Sequence, residues 1–132
     1  MECDVTIENL QTSSSLTSVK YRRIMDWNID PTPFNEYVTI FGTQTTNNLV
    51  ASNNNGWCNS SPLIECSIFN DHDTQNKDFE DYGPYDQGSM FEFNFGTLNA
   101  GESITFKIFY GATPVCSIYP YIYPYIYDQI SN

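Results

Sequence analysis

Residues 90–111 read MFEFNFGTLNAGESITFKIFYG, and this stretch decides the fold. Phe91, Phe93 and Phe95 recur at every second position, with Glu92 and Asn94 between them. Successive strand side chains point to opposite faces, so this spacing gathers the three aromatics on one face. The period returns at Ile104, Phe106, Ile108 and Tyr110, alternating with Thr105, Lys107 and Phe109. Between the two runs, Leu98-Asn99-Ala100-Gly101-Glu102-Ser103 reads as a turn, with Gly101 free to take a positive φ. The pattern predicts a β-hairpin with one buried face.

The same logic extends outward. No long segment keeps the apolar 3-4 spacing of a helix. Val5 and Ile7 alternate with Thr6 and Glu8. Across Leu16 to Met25, Val19, Tyr21 and Arg23 oppose Lys20 and Arg22. Asp30-Pro31-Thr32-Pro33 breaks any ladder. Glu36 to Phe41 is β-branched and aromatic, and Asn48 to Ala51 is a shorter strand ahead of the polar run at 52–56. Residues 70–88, rich in acids and poor in apolar side chains, read as a long surface loop. About seven short strands with regular turn signals predict an all-β fold, a two-sheet Ig-like β-sandwich. The expected organisation is a sandwich domain over residues 1–114 and an extended Tyr/Pro arm over 115–132.

Composition narrows the function. The chain has 132 residues, enough for one domain with a real core. Charged residues make up only 16%, below the usual quarter or so. Net charge is −11, which argues against nucleic acid and anionic membrane as partners. Divalent cations and neutral glycans suit it better. No apolar run approaches the ~20 residues of a membrane span, and the first residues do not read as a signal peptide.

Cys58 and Cys66 flank a short Pro-containing loop and are the natural first disulfide, which leaves Cys3 with Cys116. The alternative is four free thiols. Bridges fit an extracellular chain. Asn59-Ser60-Ser61, in the same loop, is a glycosylation sequon at Asn59.

The polar constellations favour structure over catalysis. Arg22 and Arg23 with Asp26 and Trp27 suit either a polar-ligand site or, as the stronger expectation, an Arg–Asp pair and Trp27 packing that lock the bend before Pro31. Asp71, Asp73 and Asp78 are candidate Ca²⁺ ligands, although the EF-hand Gly and Glu positions hold Asn76 and Tyr82. His72 is the single histidine, and no nucleophile motif accompanies it, so the chain does not read as an enzyme.

The end of the chain is unusual. Ser117-Ile118-Tyr119-Pro120, Tyr121-Ile122-Tyr123-Pro124 and Tyr125-Ile126-Tyr127-Asp128 stand in register and hold half of the ten tyrosines. Fully extended, Val115 to Asn132 spans about 59 Å, at roughly 3.3 Å per residue. A compact domain of this length is only about 35 Å across. The arm is too apolar for a solvated linker. Ile118, Tyr119, Tyr121, Ile122, Tyr123, Tyr125 and Ile126 are therefore expected to bury against a neighbouring copy, giving head-to-tail contacts.

Tyr21-Arg22-Arg23-Ile24-Met25-Asp26-Trp27 followed by Pro31-Thr32-Pro33-Phe34-Asn35-Glu36-Tyr37-Val38-Thr39-Ile40 carries a resemblance. So do Gly83-Pro84, Asp86-Gln87-Gly88, Phe91-Glu92-Phe93, Leu98, Gly101-Glu102-Ser103 and Phe109-Tyr110-Gly111. Together they resemble an adhesin-like module of large secreted and surface proteins, over roughly Val5 to Ala112. The resemblance implies no catalytic residue, and it includes neither the arm nor the cysteines. Two functions are expected from this reading. The first is a non-enzymatic subunit of a secreted fibre, assembled through its arm. The alternative is a glycan- or protein-binding module of a larger surface protein.

Overall fold

The computed structural model describes residues 1–66 and 75–113 and, as backbone, 121–122. Among the described residues, nine strands run in chain order: β1 (Glu2–Glu8), β2 (Leu16–Asp26), β3 (Glu36–Ile40), β4 (Leu49–Asn53), β5 (Phe79–Tyr85), β6 (Gly88–Leu98), β7 (Ser103–Phe109), β8 (Ala112–Thr113) and β9 (Tyr121–Ile122). The fold is all-β, with no helix among the described residues. The strands form three ladders in the orders β1-β7, β2-β6-β4 and β5-β3-β9-β8. Every pairing is antiparallel except that of β3 with β9.

The alternating aromatics build the core, but not through a hairpin. β6 pairs with β2 on one edge and β4 on the other, while β7 pairs with β1. The chain crosses from one ladder to another at Leu98–Ser103. The two aromatic faces therefore look at each other instead of lying side by side. Phe106 meets Phe93 at 5.1 Å and Phe95 at 5.0 Å between ring centroids, within the range of favourable aromatic pairs. Tyr21 of β2 reaches the same Phe106 at 5.3 Å. Val38 and Ile40 of β3, Phe91, Ile108 and Tyr110 complete the cluster. A period of two reports which side chains share a face and is the same for a paired strand and a facing one.

One further expectation changes. The acidic stretch at 70–88 is not one surface loop: Phe79–Tyr85 forms β5 against β3, and Gly88 opens β6. In the polar run at 52–56, Ser52, Asn53, Asn54 and Asn55 are all buried. Glycines permit this close packing. A Cβ on Gly88 would lie 2.1 Å from the Gly56 nitrogen, so only two glycines let the start of β6 meet this run.

Candidate functional site

On the face of β2 and β6 away from the core, the sequence places Lys20, Arg22 and Glu92. Arg22 pairs across the ladder with Glu92. Its Nε donates to Glu92 Oε2 at 2.9 Å, and its Nη2 donates to the same oxygen. Lys20 Nζ donates to Glu92 Oε1 at 3.2 Å. The Arg22 side chain is only 2% exposed, and its Nη1 is used as well. Nη1 donates to the carbonyls of Asn59 at 2.7 Å and Ser61 at 2.8 Å. One guanidinium thus anchors the 58–66 loop to the sheet.

The Cys58–Cys66 bond closes that loop, as expected from the sequence. Such a bond points to maturation in an oxidising compartment. Leu63, at the loop's tip, is 82% exposed, and Ile64 beside it is half exposed. Beneath the loop lies a cleft of about 420 Å³, bounded by Lys20, Arg22 and Glu92, by Ala51–Asn53 of β4, by Pro62–Leu63 and Glu65–Cys66, and by Gln75 and Asn76. Two cations and two carboxylates line it, so it carries no net charge. Arg22 and Glu92 satisfy each other. Amides, a hydroxyl and the Glu65 carboxylate remain around an apolar patch of Ala51, Pro62 and Leu63. This arrangement can hold a neutral, hydrogen-bonding ligand with an apolar face.

A buried amide network continues from Asn53 of the cleft. Asn54 Nδ2 donates to Gln87 Oε1 at 2.8 Å, and Gln87 Nε2 donates to the Tyr82 carbonyl at 2.8 Å. Asn53 Oδ1 accepts from the Asn55 N–H, and Asn55 Oδ1 accepts from the Trp57 N–H. Nearby, Glu36 is wholly buried; its Oε1 accepts from the N–H groups of Ile29 and Phe34, and its Oε2 has no partner. Burial pushes the Glu36 carboxyl above its ordinary range, against the opposing pull of those amides.

The residues singled out in the sequence fall as follows. Arg22 pairs with Glu92, not with Asp26; strand register decides this, because Arg22 and Glu92 stand directly opposite. Arg23 faces the other way and lies over the Tyr110 ring at 5.7 Å, and Trp27 packs edge-on against that ring at 5.9 Å. Burial pushes the Tyr110 hydroxyl up to about 12, although Arg23 opposes the shift. Cys3 holds a free, half-buried thiol on β1, and its expected partner Cys116 lies outside the described residues. Asn59 is exposed, with its Oδ1 accepting from the Ser61 N–H at 2.8 Å. Asp78 is engaged elsewhere: Oδ1 accepts from the Thr43 N–H and hydroxyl, and Oδ2 accepts from the Gly42 N–H. Burial works against its ionised form, but these bonds together hold the carboxyl below its ordinary range. Asp71, Asp73 and His72 lie outside the described residues. Among those described, no three His, Cys, Asp or Glu side chains gather as a metal site would require.

Tyr121 and Ile122 form β9, parallel to Tyr37–Val38 of β3 and antiparallel to Ala112–Thr113 of β8. For these two residues the backbone pairing is with their own chain. Pro120 and Pro124 lack the N–H groups that a longer central strand would need. A two-residue strand fits between those prolines. Ile118, Tyr119, Tyr123, Tyr125 and Ile126 lie outside the described residues.

Sequence reasoning passed over Glu36, Asn54, Asn55, Gln87 and Glu92 as site-builders. Comparison with protein-family models, with curated proteins and with solved structures gives no match for this chain. No helix among the described residues is long and apolar enough to cross a membrane.

Proposed function

We propose that this chain is a non-enzymatic, extracellular binding module, a two-sheet Ig-like β-sandwich of the adhesin-like kind, whose ligand is a neutral glycan. One observation carries the reading. The 58–66 loop is fixed at both ends by its disulfide and from below by Arg22, yet it holds Leu63 out to solvent beside a charge-balanced polar cleft. Rigid scaffolds that present exposed loop residues are the usual architecture of recognition. Sugars match the cleft, with hydroxyls for Lys20, Glu65 and the amides, and an apolar ring face for Pro62 and Leu63. A net charge of −11 leaves a neutral ligand unrepelled.

The test is direct binding of the labelled full chain to an array of neutral oligosaccharides, beside Leu63→Asp and Lys20→Ala. Binding by the unaltered chain, weakened about tenfold or more in either variant, is expected. A folded chain that binds no neutral glycan would sink this reading.

A second reading rests on a different observation, the pairing of tail residues Tyr121–Ile122 with β3 and β8. In it, the chain is a subunit of a secreted fibre, joined head-to-tail through its Tyr-Ile tail. Sedimentation velocity of the full chain over a concentration series tests it, and a constant monomer would end it.

A further inference from the structure

β9 occupies a slot. Its two residues lie between β3 and β8, with Tyr37 opposite Tyr121, Val38 opposite Ile122, Ala112 opposite Ile122 and Thr113 opposite Tyr121. Without β9, β3 would present an unpaired edge beside fully buried Val38 and Ile40. The slot thus needs an occupant, and what fills it is near the chain's end and short. β1 and β7, by comparison, pair over seven residues on each strand.

The sequence supplies the matching occupant twice. Tyr121-Ile122 is followed four residues later by Tyr125-Ile126, in the same Tyr-Ile-Tyr context. A repeat that preserves side-chain order and strand period specifies register weakly, so one slot accepts either unit. A second copy of the chain carries the same segment and can make the same backbone hydrogen bonds in the slot. Cis and trans occupancy then differ mainly in connection entropy and protein concentration.

We propose that the slot between β3 and β8 is the acceptor for the Tyr-Ile tail of a second copy, which exchanges with the chain's own β9. This rests on the second reading above and names its contact. One copy's tail enters the next copy's slot, so the contact is head-to-tail and propagates unless rotation closes it into a ring.

The experiment uses the full chain carrying both Tyr37→Cys and Tyr121→Cys, prepared in natural-abundance and ¹⁵N-labelled forms. The two are mixed in equal amounts, incubated at high concentration, oxidised and digested without reduction. Only the peptide pair joining positions 37 and 121 is read by mass, so the native cysteines do not interfere. Exchange predicts that about half of the linked pairs carry one light and one heavy partner. In parallel, a synthetic peptide of residues 121–132 added to the unaltered chain is expected to lower the sedimentation coefficient of its assemblies. This arm decides alone if the double variant does not fold. Assemblies that contain only same-isotope pairs, or that ignore the peptide, overturn the slot but leave head-to-tail assembly through another surface standing. A chain that stays monomeric at every concentration overturns both.

Discussion

At the scale of single residues, two buried charges organise the polar half of the molecule. Glu36 shows no exposed surface and has a carboxylate oxygen without a partner. Burial raises its folded-state pKa above the ordinary 4.5, so the folded chain binds this proton more tightly than the unfolded one. Its contribution to stability therefore rises as pH falls through the raised value and levels off below the ordinary one. Glu36→Gln keeps an acceptor for the Ile29 and Phe34 amides and cannot titrate. Urea unfolding of both proteins at about pH 7 and about pH 5 should show the unaltered chain gaining on the variant as pH falls. A difference that stays flat with pH would show that Glu36 does not titrate in this window. Arg22 poses the opposite case, a buried charge whose donors meet Glu92 and two loop carbonyls. Arg22→Met should cost about 3–5 kcal/mol, because it leaves Glu92 with Lys20 alone and the loop without its anchor. Adding Glu92→Leu should return part of that loss in thermal denaturation. If the single variant melts with the unaltered protein, Arg22 does not anchor the loop.

At the scale of elements, stability depends on a few close approaches. Gly88→Ala sets a methyl group against the backbone of Gly56, which cannot step aside as a flexible side chain would. It should destabilise by about 3 kcal/mol, the upper end for overpacking. Gly101→Ala meets open space and suffers only from its positive φ, which costs about 1–2 kcal/mol. Reversal of that order in denaturant titrations would mean that the Gly56–Gly88 contact relaxes freely. Removing the bridge with Cys58→Ala and Cys66→Ala should cost about 2.5 kcal/mol for so short a loop. The same elements show what the sequence reveals and what it hides. The period of two at Phe91, Phe93, Phe106 and Ile108 marks strands and their inner faces, because burial acts on each side chain locally. It does not say which edges pair, and so β6 and β7 read as a hairpin when they face each other across the core. Gln87 reads as part of a surface loop because its polarity is visible and its hydrogen-bond partners are not. The cleft was hidden for a related reason: Arg22 and Glu92 are 70 positions apart, and only the β2–β6 register brings them together.

At the scale of the whole molecule, charge separates the two proposed readings. Five Lys and Arg stand against sixteen Asp and Glu. Lys20 and Arg22 engage Glu92, Lys107 engages Glu2 and Asp4, and Arg23 lies over Tyr110, so four of those five cations serve the fold itself. They form no basic surface to meet a second acidic copy. Two chains of net charge −11 therefore repel on approach, while the proposed tail-in-slot contact joins apolar segments, whose attraction salt does not screen. Raising salt from about 0.05 M to about 0.5 M shortens the screening length from roughly 14 Å to about 4 Å and removes most of that repulsion. Self-association through the tail should then strengthen, seen as a rising weight-average sedimentation coefficient at fixed protein concentration. Binding of a neutral sugar in the charge-balanced cleft should change by less than about twofold over the same range, since no net charge is brought together. Assemblies that dissolve in high salt would mean that the copies meet through opposed charges, and a tail-in-slot contact would not explain them.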